Sequence, residues 1–152
     1  MPAVQAKPRY VLIRVLLVWA SAFPVFYGAA GLTSPGTIAK VTGALSAGVV
    51  TVSPEVGYLL KPLALYILMC GCLLLFAALD PPRYRAIVLW GALLLFLRGL
   101  QRLSLTAELN RVFQIPVPIN LFHGAYLLVL ASALALCCPG KKAPPPGHSP
   151  QA

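Results

Sequence analysis

The chain has 152 residues, of which 59% are hydrophobic and only 10% are charged. Soluble domains carry roughly a quarter charged residues, so this composition excludes an ordinary soluble fold and predicts an all-α integral membrane protein. The formal net charge is +9. The basic residues flank apolar stretches, where they act as topology signals and contact anionic lipid headgroups. We expect no nucleic-acid partner, because no basic patch with interleaved aromatic residues is present.

Four apolar stretches are each long enough to cross a hydrocarbon core of ~30 Å. The predicted spans are residues 10–32, 57–79, 84–106 and 120–138. Residues 1–9 form a basic tail, and residues 139–152 form a Pro-rich tail that we expect to be disordered. The apolar run continues past Ala20-Ser21-Ala22, which favours a retained first span over a cleaved signal peptide.

The segment between the first and second spans, residues 33–54, has a different pattern. Ile38, Val41, Leu45 and Val49 recur at helical spacing and form one apolar stripe, whereas most of the other residues are small or polar. We therefore predict that this segment is an extra interfacial or re-entrant helix and not a fifth crossing. The predicted fold is a four-helix membrane bundle with this additional segment.

The distribution of basic residues predicts the orientation of the bundle. With both termini in the cytoplasm, seven basic residues lie on the inner side: Lys7, Arg9, Arg14, Arg83, Arg85, Lys141 and Lys142. Short inner loops are then the basic ones, as the positive-inside rule requires. A fifth crossing would move Arg83, Arg85 and the lysines of the tail outside. We therefore predict an integral protein of a bacterial plasma membrane with both termini cytoplasmic.

Two arginines interrupt the second half of the third span. At a rise of 1.5 Å per residue, Arg98 lies roughly 20 Å from the inner end and Arg102 about 6 Å further. Residues four apart share one helix face, and each charge at membrane depth costs ~2.5 kcal/mol or more unless it has a partner or reaches the surface. Two interpretations remain open: a polar pocket for an anionic ligand, or arginines that snorkel outward and tie helices together. We predict that both arginines face the bundle interior and that at least one pairs with Glu55 or Glu108.

Other polar residues are predicted at the level of these arginines. Glu55 and Glu108 are candidate ion-pair partners, and Glu108, Asn110 and Arg111 lead into a turn marked by Pro116 and Pro118. Asn120 is placed to cap the fourth span. The candidate ligand-binding residues are Arg98, Arg102, Glu55, Glu108, His123, Lys61, Asn120 and Tyr126.

No catalytic, metal-binding or cofactor-binding pattern is found. Cys70 and Cys72 are two residues apart, so on a helix they point to nearly opposite faces and cannot chelate one metal ion together. Cys137 and Cys138 end the fourth span. Glycines such as Gly28, Gly71, Gly91 and Gly124 are typical of helix-packing positions in membranes. We expect no metal, no cofactor and no enzymatic activity.

The layout of the spans, together with the stretch LALYILMCGCLLLFAALDPPRYRAIVLWGALLLFLRGLQRL, resembles small four-span bacterial membrane families of BphX-like or DoxX-like type. The resemblance covers residues 10–138 and implies a four-helix membrane bundle. It carries over no functional residue.

The leading functional hypothesis is a multi-pass membrane protein without enzymatic activity. It would be an accessory subunit of a membrane complex, or a binder of a small anion or anionic lipid in a polar pocket of the outer half. One alternative is a small transporter or channel that works as a homo-oligomer. Another is a membrane enzyme that acts on a lipid or quinone. The inner half of the bundle is almost free of polar residues, which favours a pocket over a path through the membrane.

Overall fold

A computed structural model describes residues 8–34, 36–37, 40–41, 43 and 54–138. Helices with defined bounds in these ranges are α1 (Pro8–Thr33), α2 (Pro54–Ala77), α3 (Arg85–Ser104), α4 (Thr106–Phe113) and α5 (Val117–Cys137). All of these except α4 are long and apolar enough to cross a membrane. The prediction of an all-α, multi-pass membrane protein with four spans is therefore confirmed.

Prolines set several helix ends. Pro8 and Pro54 stand at the first positions of α1 and α2, and Pro118 lies in the first turn of α5. A proline is tolerated there because the first N–H groups of a helix have no intrahelical partner. The pair Pro81-Pro82 follows α2 and prevents its continuation. The observed spans begin and end within three residues of the predicted ones.

The predicted extra helical segment in residues 33–54 lies mostly outside the described residues. The structure shows a different short helix, α4, between the third and fourth spans. The sequence interpretation did not predict this helix, which precedes the turn at residues 114–116. The helix is amphipathic and has only eight residues. A search for long apolar runs, which identifies membrane spans, therefore does not detect it.

The chain bends between α3 and α4 without losing its hydrogen bonds. Leu105 has φ −96° and ψ 17°, and its N–H still donates to Gln101 O at 3.0 Å. The hydroxyl of Thr106 lies 2.9 Å from the carbonyl oxygens of both Arg102 and Leu103, to which it donates. These contacts satisfy carbonyls at the end of α3, which lack a helical partner. The third span therefore ends at Ser104 and not at residue 106.

The bundle consists of two closely packed helix pairs. α1 has its most extensive contacts with α2, and α3 has its most extensive contacts with α5. A Cβ atom added at Gly28 of α1 would lie 2.6 Å from the backbone nitrogen of Leu68 in α2. One added at Gly99 of α3 would lie 3.1 Å from the carbonyl oxygen of Gly124 in α5. Only glycine permits such close backbone approach, which confirms Gly28 and Gly124 as packing positions.

The two pairs meet in one apolar core. Its buried members come from the four long helices and the turn after α2: Ile13, Leu17, Ala20, Leu74, Ala77, Ala78, Val88, Ala92, Leu130 and Leu134. At the same end, Arg9 donates to Leu136 O at 2.7 Å, and Arg14 donates to Leu79 O at 2.8 Å. Cations are favourable at C-terminal carbonyls, so these bonds tie the start of α1 to the ends of α2 and α5.

The outer surface of the four long helices is apolar. Trp19, Tyr58, Phe122 and Leu136 are each more than 60% exposed in the isolated chain. In water such a surface would be costly, but in a bilayer the lipid chains cover it. The exposed apolar residues are therefore consistent with contact between this chain and a lipid bilayer.

We predict that Gly28→Ala destabilises the bundle by about 1–3 kcal/mol, because the new methyl group overpacks the contact with the α2 backbone. Thermal unfolding in detergent micelles measures the effect. Gly36→Ala is the matched control, since the nearest atom to its added Cβ among the described residues is Ser34 Oγ at 3.7 Å. Equal stability of the two variants would contradict the close approach of α1 and α2.

Candidate functional site

A polar cluster lies where α3, α4 and α5 meet. Asn120 of α5 is fully buried. Its Nδ2 donates to Arg102 O at 2.8 Å and to Thr106 Oγ1 at 2.9 Å. Its Oδ1 accepts a hydrogen bond from Arg102 Nη1 at 3.3 Å. Both amide hydrogens and the carbonyl oxygen of this side chain are thus used between helices, as a buried amide requires.

Asn120 does not cap α5, so that prediction is wrong. α5 begins at Val117, and the backbone N–H of Asn120 donates to Pro116 O at 3.1 Å. Pro118 is tolerated in the first turn, so the helix starts three residues earlier than predicted. Asn120 is consequently inside the helix, where its side chain faces α3 and not its own N-terminus.

The two arginines of α3 have different surroundings. Arg102 is partly buried, bonds to Asn120, and lies within range of electrostatic interaction with Tyr27 and Arg98. Arg98 is exposed, and its Nη1 donates to Gln101 Oε1 at 2.5 Å on the same helix. The expectation that both arginines face the bundle interior is therefore met by Arg102 alone. Arg98 lies on the surface because its position on the helix turns it away from α5.

His123 lies one turn beyond Asn120 on the same face of α5. It interacts electrostatically with Arg102, and its Nδ1 is buried without a hydrogen-bond partner among the described residues. A buried nitrogen without a partner is uncommon in folded proteins and calls for a physical explanation. His123 therefore adds an unused polar group beside Arg102.

The other predicted site residues lie apart from this cluster or outside the described atoms. Tyr126 accepts a hydrogen bond from Trp19 Nε1 and so links α5 to α1. Lys61 is exposed on α2, and Glu108 is exposed on α4. Neither arginine hydrogen-bonds to Glu108. The side chain of Glu55 lies outside the part that the structure describes, so the predicted ion pair with Glu55 stays a prediction.

Two residues of the cluster were missed by the sequence interpretation. Thr106 is four residues after Arg102, and Gln101 is three residues after Arg98. Both spacings place side chains on a shared helix face, so the signal was present. The preferred partner of the arginines was the carboxylate of Glu55, whereas the observed acceptors, Asn120 Oδ1 and Gln101 Oε1, are neutral.

The cysteines do not form a cluster. Cys70 and Cys72 are exposed, Cys137 and Cys138 are partly buried, and all four are free thiols. Among the described residues, no group of three His, Cys, Asp or Glu side chains has the arrangement of a metal site.

Comparisons with known proteins give no match: no family model, no curated protein and no solved structure is similar to this chain.

We predict that Asn120→Ala destabilises the protein by about 2 kcal/mol, because it removes three interhelical hydrogen bonds worth ~0.6 kcal/mol each. Thermal unfolding in detergent micelles is the measurement. Ser132→Ala serves as control, since Ser132 bonds only to Leu128 O within its own helix and should have little effect. A neutral Asn120→Ala variant would show that the cluster does not hold α3 against α5.

Proposed function

We propose that this chain is a non-enzymatic membrane protein that binds a small anion or an anionic lipid headgroup at Arg98, beside the Arg102–Asn120 cluster. The observation that carries the proposal is the environment of Arg98. It is exposed, it stands one helical turn from a second arginine, and its hydrogen-bond partner is the neutral Gln101. A cation so placed gains more from an anionic ligand than from the contacts it already has.

The sequence left two roles open for the arginines, ligand binding and the linking of helices. We assign one role to each arginine. Arg102 donates to Asn120 Oδ1, its carbonyl oxygen accepts from Asn120 Nδ2, and the residue thus ties α3 to α5. Among the described residues, Arg98 has no acceptor outside its own turn, although repulsion from Arg102 raises the need for a counter-charge. The described hydrogen bonds thus support a structural role for Arg102 and a binding role for Arg98.

We predict that an anionic ligand raises the Tm of the wild-type protein and that Arg98→Gln abolishes this rise. One arginine near an anionic headgroup contributes ~1 kcal/mol, which corresponds to roughly 2–4 °C for a chain of this size. The measurement is thermal unfolding in neutral-lipid nanodiscs, with either inorganic phosphate or phosphatidylglycerol added.

The control for this measurement is Arg111→Gln. Arg111 is also exposed and lies on α4, at the same end of the bundle, so the two variants lose the same charge. An equal loss of stabilisation in both variants would show a diffuse effect of net charge. No stabilisation of the wild type by either anion would refute the binding proposal.

We propose further that both termini face the cytoplasm of a bacterial plasma membrane. Arg9 and Arg14 bond to carbonyls at the C-terminal ends of α5 and α2. Arg83 lies in the turn after α2, and Arg85 is the first residue of α3. These four basic residues are therefore at one end of the bundle. The positive-inside rule assigns such an end to the cytoplasm.

Reporter fusions test this orientation. We expect alkaline phosphatase to be inactive when fused after residue 138 and active when inserted at Gln114, which connects α4 to α5 at the opposite end. Green fluorescent protein should give the reverse result. Activity of the phosphatase at the C-terminal position would contradict the proposed orientation.

A further inference from the structure

An open apolar groove of about 280 Å³ lies between α2 and α3. These helices belong to different pairs and contact each other less than the partners within each pair. The walls include Tyr66 and Cys70 of α2 and Trp90 and Leu94 of α3, and Pro24 of α1 also lines it. Trp90 is 65% exposed, so the groove opens onto the surface that faces lipid.

Arg98 stands on the helix face that forms one wall of this groove. Gly91, Leu94 and Leu95 line the groove, and Arg98 follows Leu94 by four residues and Leu95 by three. Positions three and four apart share one face of a helix. An apolar channel and an exposed cation are therefore continuous along α3, with the cation one turn beyond the apolar lining.

The dimensions match one acyl chain. The lining of α3 extends from Ile87 to Leu95, which is about 12 Å at 1.5 Å per residue. Half of a ~30 Å hydrocarbon core is close to this length. Polar residues on this side of α3 begin at Arg98 and continue with Gln101, so an anionic headgroup has hydrogen-bond donors where the apolar lining ends.

Charge decides between a lipid and a second copy of the chain as the occupant. The chain has twelve Lys and Arg residues but only three acidic ones. A second copy would therefore bring mainly positive charge to Arg98. An anionic lipid brings both the apolar chain and the counter-charge that the groove and Arg98 lack.

We propose that the groove and Arg98 together form a site for one anionic phospholipid. The phosphate group lies at Arg98, and one acyl chain runs along the groove past Trp90 toward the end of the bundle where α3 begins. This inference rests on the proposed function, because it requires Arg98 to bind an anion. It adds the class of ligand and its direction in the membrane.

The two tryptophans of the chain, Trp19 and Trp90, permit a direct test. Trp19→Phe leaves Trp90 in the groove as the sole fluorophore, and Trp90→Phe leaves Trp19 on α1 as the reporter outside the groove. Each variant is reconstituted in vesicles that contain an equal fraction of brominated phosphatidylglycerol or brominated phosphatidylcholine with the same chains. Bromine quenches tryptophan only at contact, so quenching reports which lipid occupies the groove.

We expect Trp90 to be quenched with a roughly fivefold higher apparent affinity for the anionic lipid than for the zwitterionic one. Trp19 should show no such preference. Arg98→Gln should remove the preference at Trp90, whereas Arg111→Gln should retain it.

Filling the groove gives a second test with a matched pair. Both Cys70 and Cys72 are exposed on α2. Cys70 lines the groove, and Cys72 does not. Cys70→Phe should remove the preference at Trp90, and Cys72→Phe should leave it intact. Leu94→Phe fills the groove from the α3 side and replaces Cys70→Phe if that variant fails to fold.

The outcomes separate this inference from the proposed function. If anions raise the Tm through Arg98 but both brominated lipids quench Trp90 equally, the groove assignment is overturned and anion binding at Arg98 stands. The groove assignment is likewise overturned if inorganic phosphate raises the Tm as much as phosphatidylglycerol does. If neither anion raises the Tm, both proposals fall. An Arg98-dependent and Cys70-dependent preference at Trp90 supports both.

Discussion

The hydrocarbon core of a bilayer offers no water to an unpaired polar group, and the organisation of this chain follows from that constraint. Each span satisfies its own backbone as a helix. The polar side chains that enter the membrane then need partners from other helices or from the helix itself. Asn120 meets this need completely, because its amide bonds to both α3 and the start of α4. Ser21 and Ser132 instead return their hydroxyls to carbonyls of their own helices.

The same constraint limits how the helices are held together. Lipid chains are as apolar as leucine, so burial of apolar surface alone gives little drive for association inside the membrane. Close backbone contact at Gly28 and Gly99 increases van der Waals packing within each pair. Contacts between the pairs are fewer, apart from the apolar core at the end where α1 begins. The groove between α2 and α3 is a consequence of this division into pairs.

Both proposals depend on the contrast between two arginines one turn apart. A rotation of about 40° around the helix axis separates residues four apart. That rotation takes Arg102 toward Asn120 and leaves Arg98 on the face of the groove. One cation therefore donates to an amide oxygen within the protein. The other is exposed on the surface of the bundle, where, under our proposal, an anionic lipid supplies its counter-charge.

The sequence by itself determined the four spans, because runs of about twenty apolar residues have no other stable place than a bilayer. Proline and glycine positions also determined helix ends and packing positions, as Pro81-Pro82 after α2 and Gly28 illustrate. Tertiary structure alone decided the partners of the arginines. Carboxylates were expected from charge, yet Arg102 is held by Asn120, whose distance in sequence is eighteen residues. Helical periodicity gives the direction of a side chain on its own helix. It gives no information on which neighbour faces that side chain, so the separation of Arg98 from Arg102 and the groove below Arg98 emerged only from the packed helices.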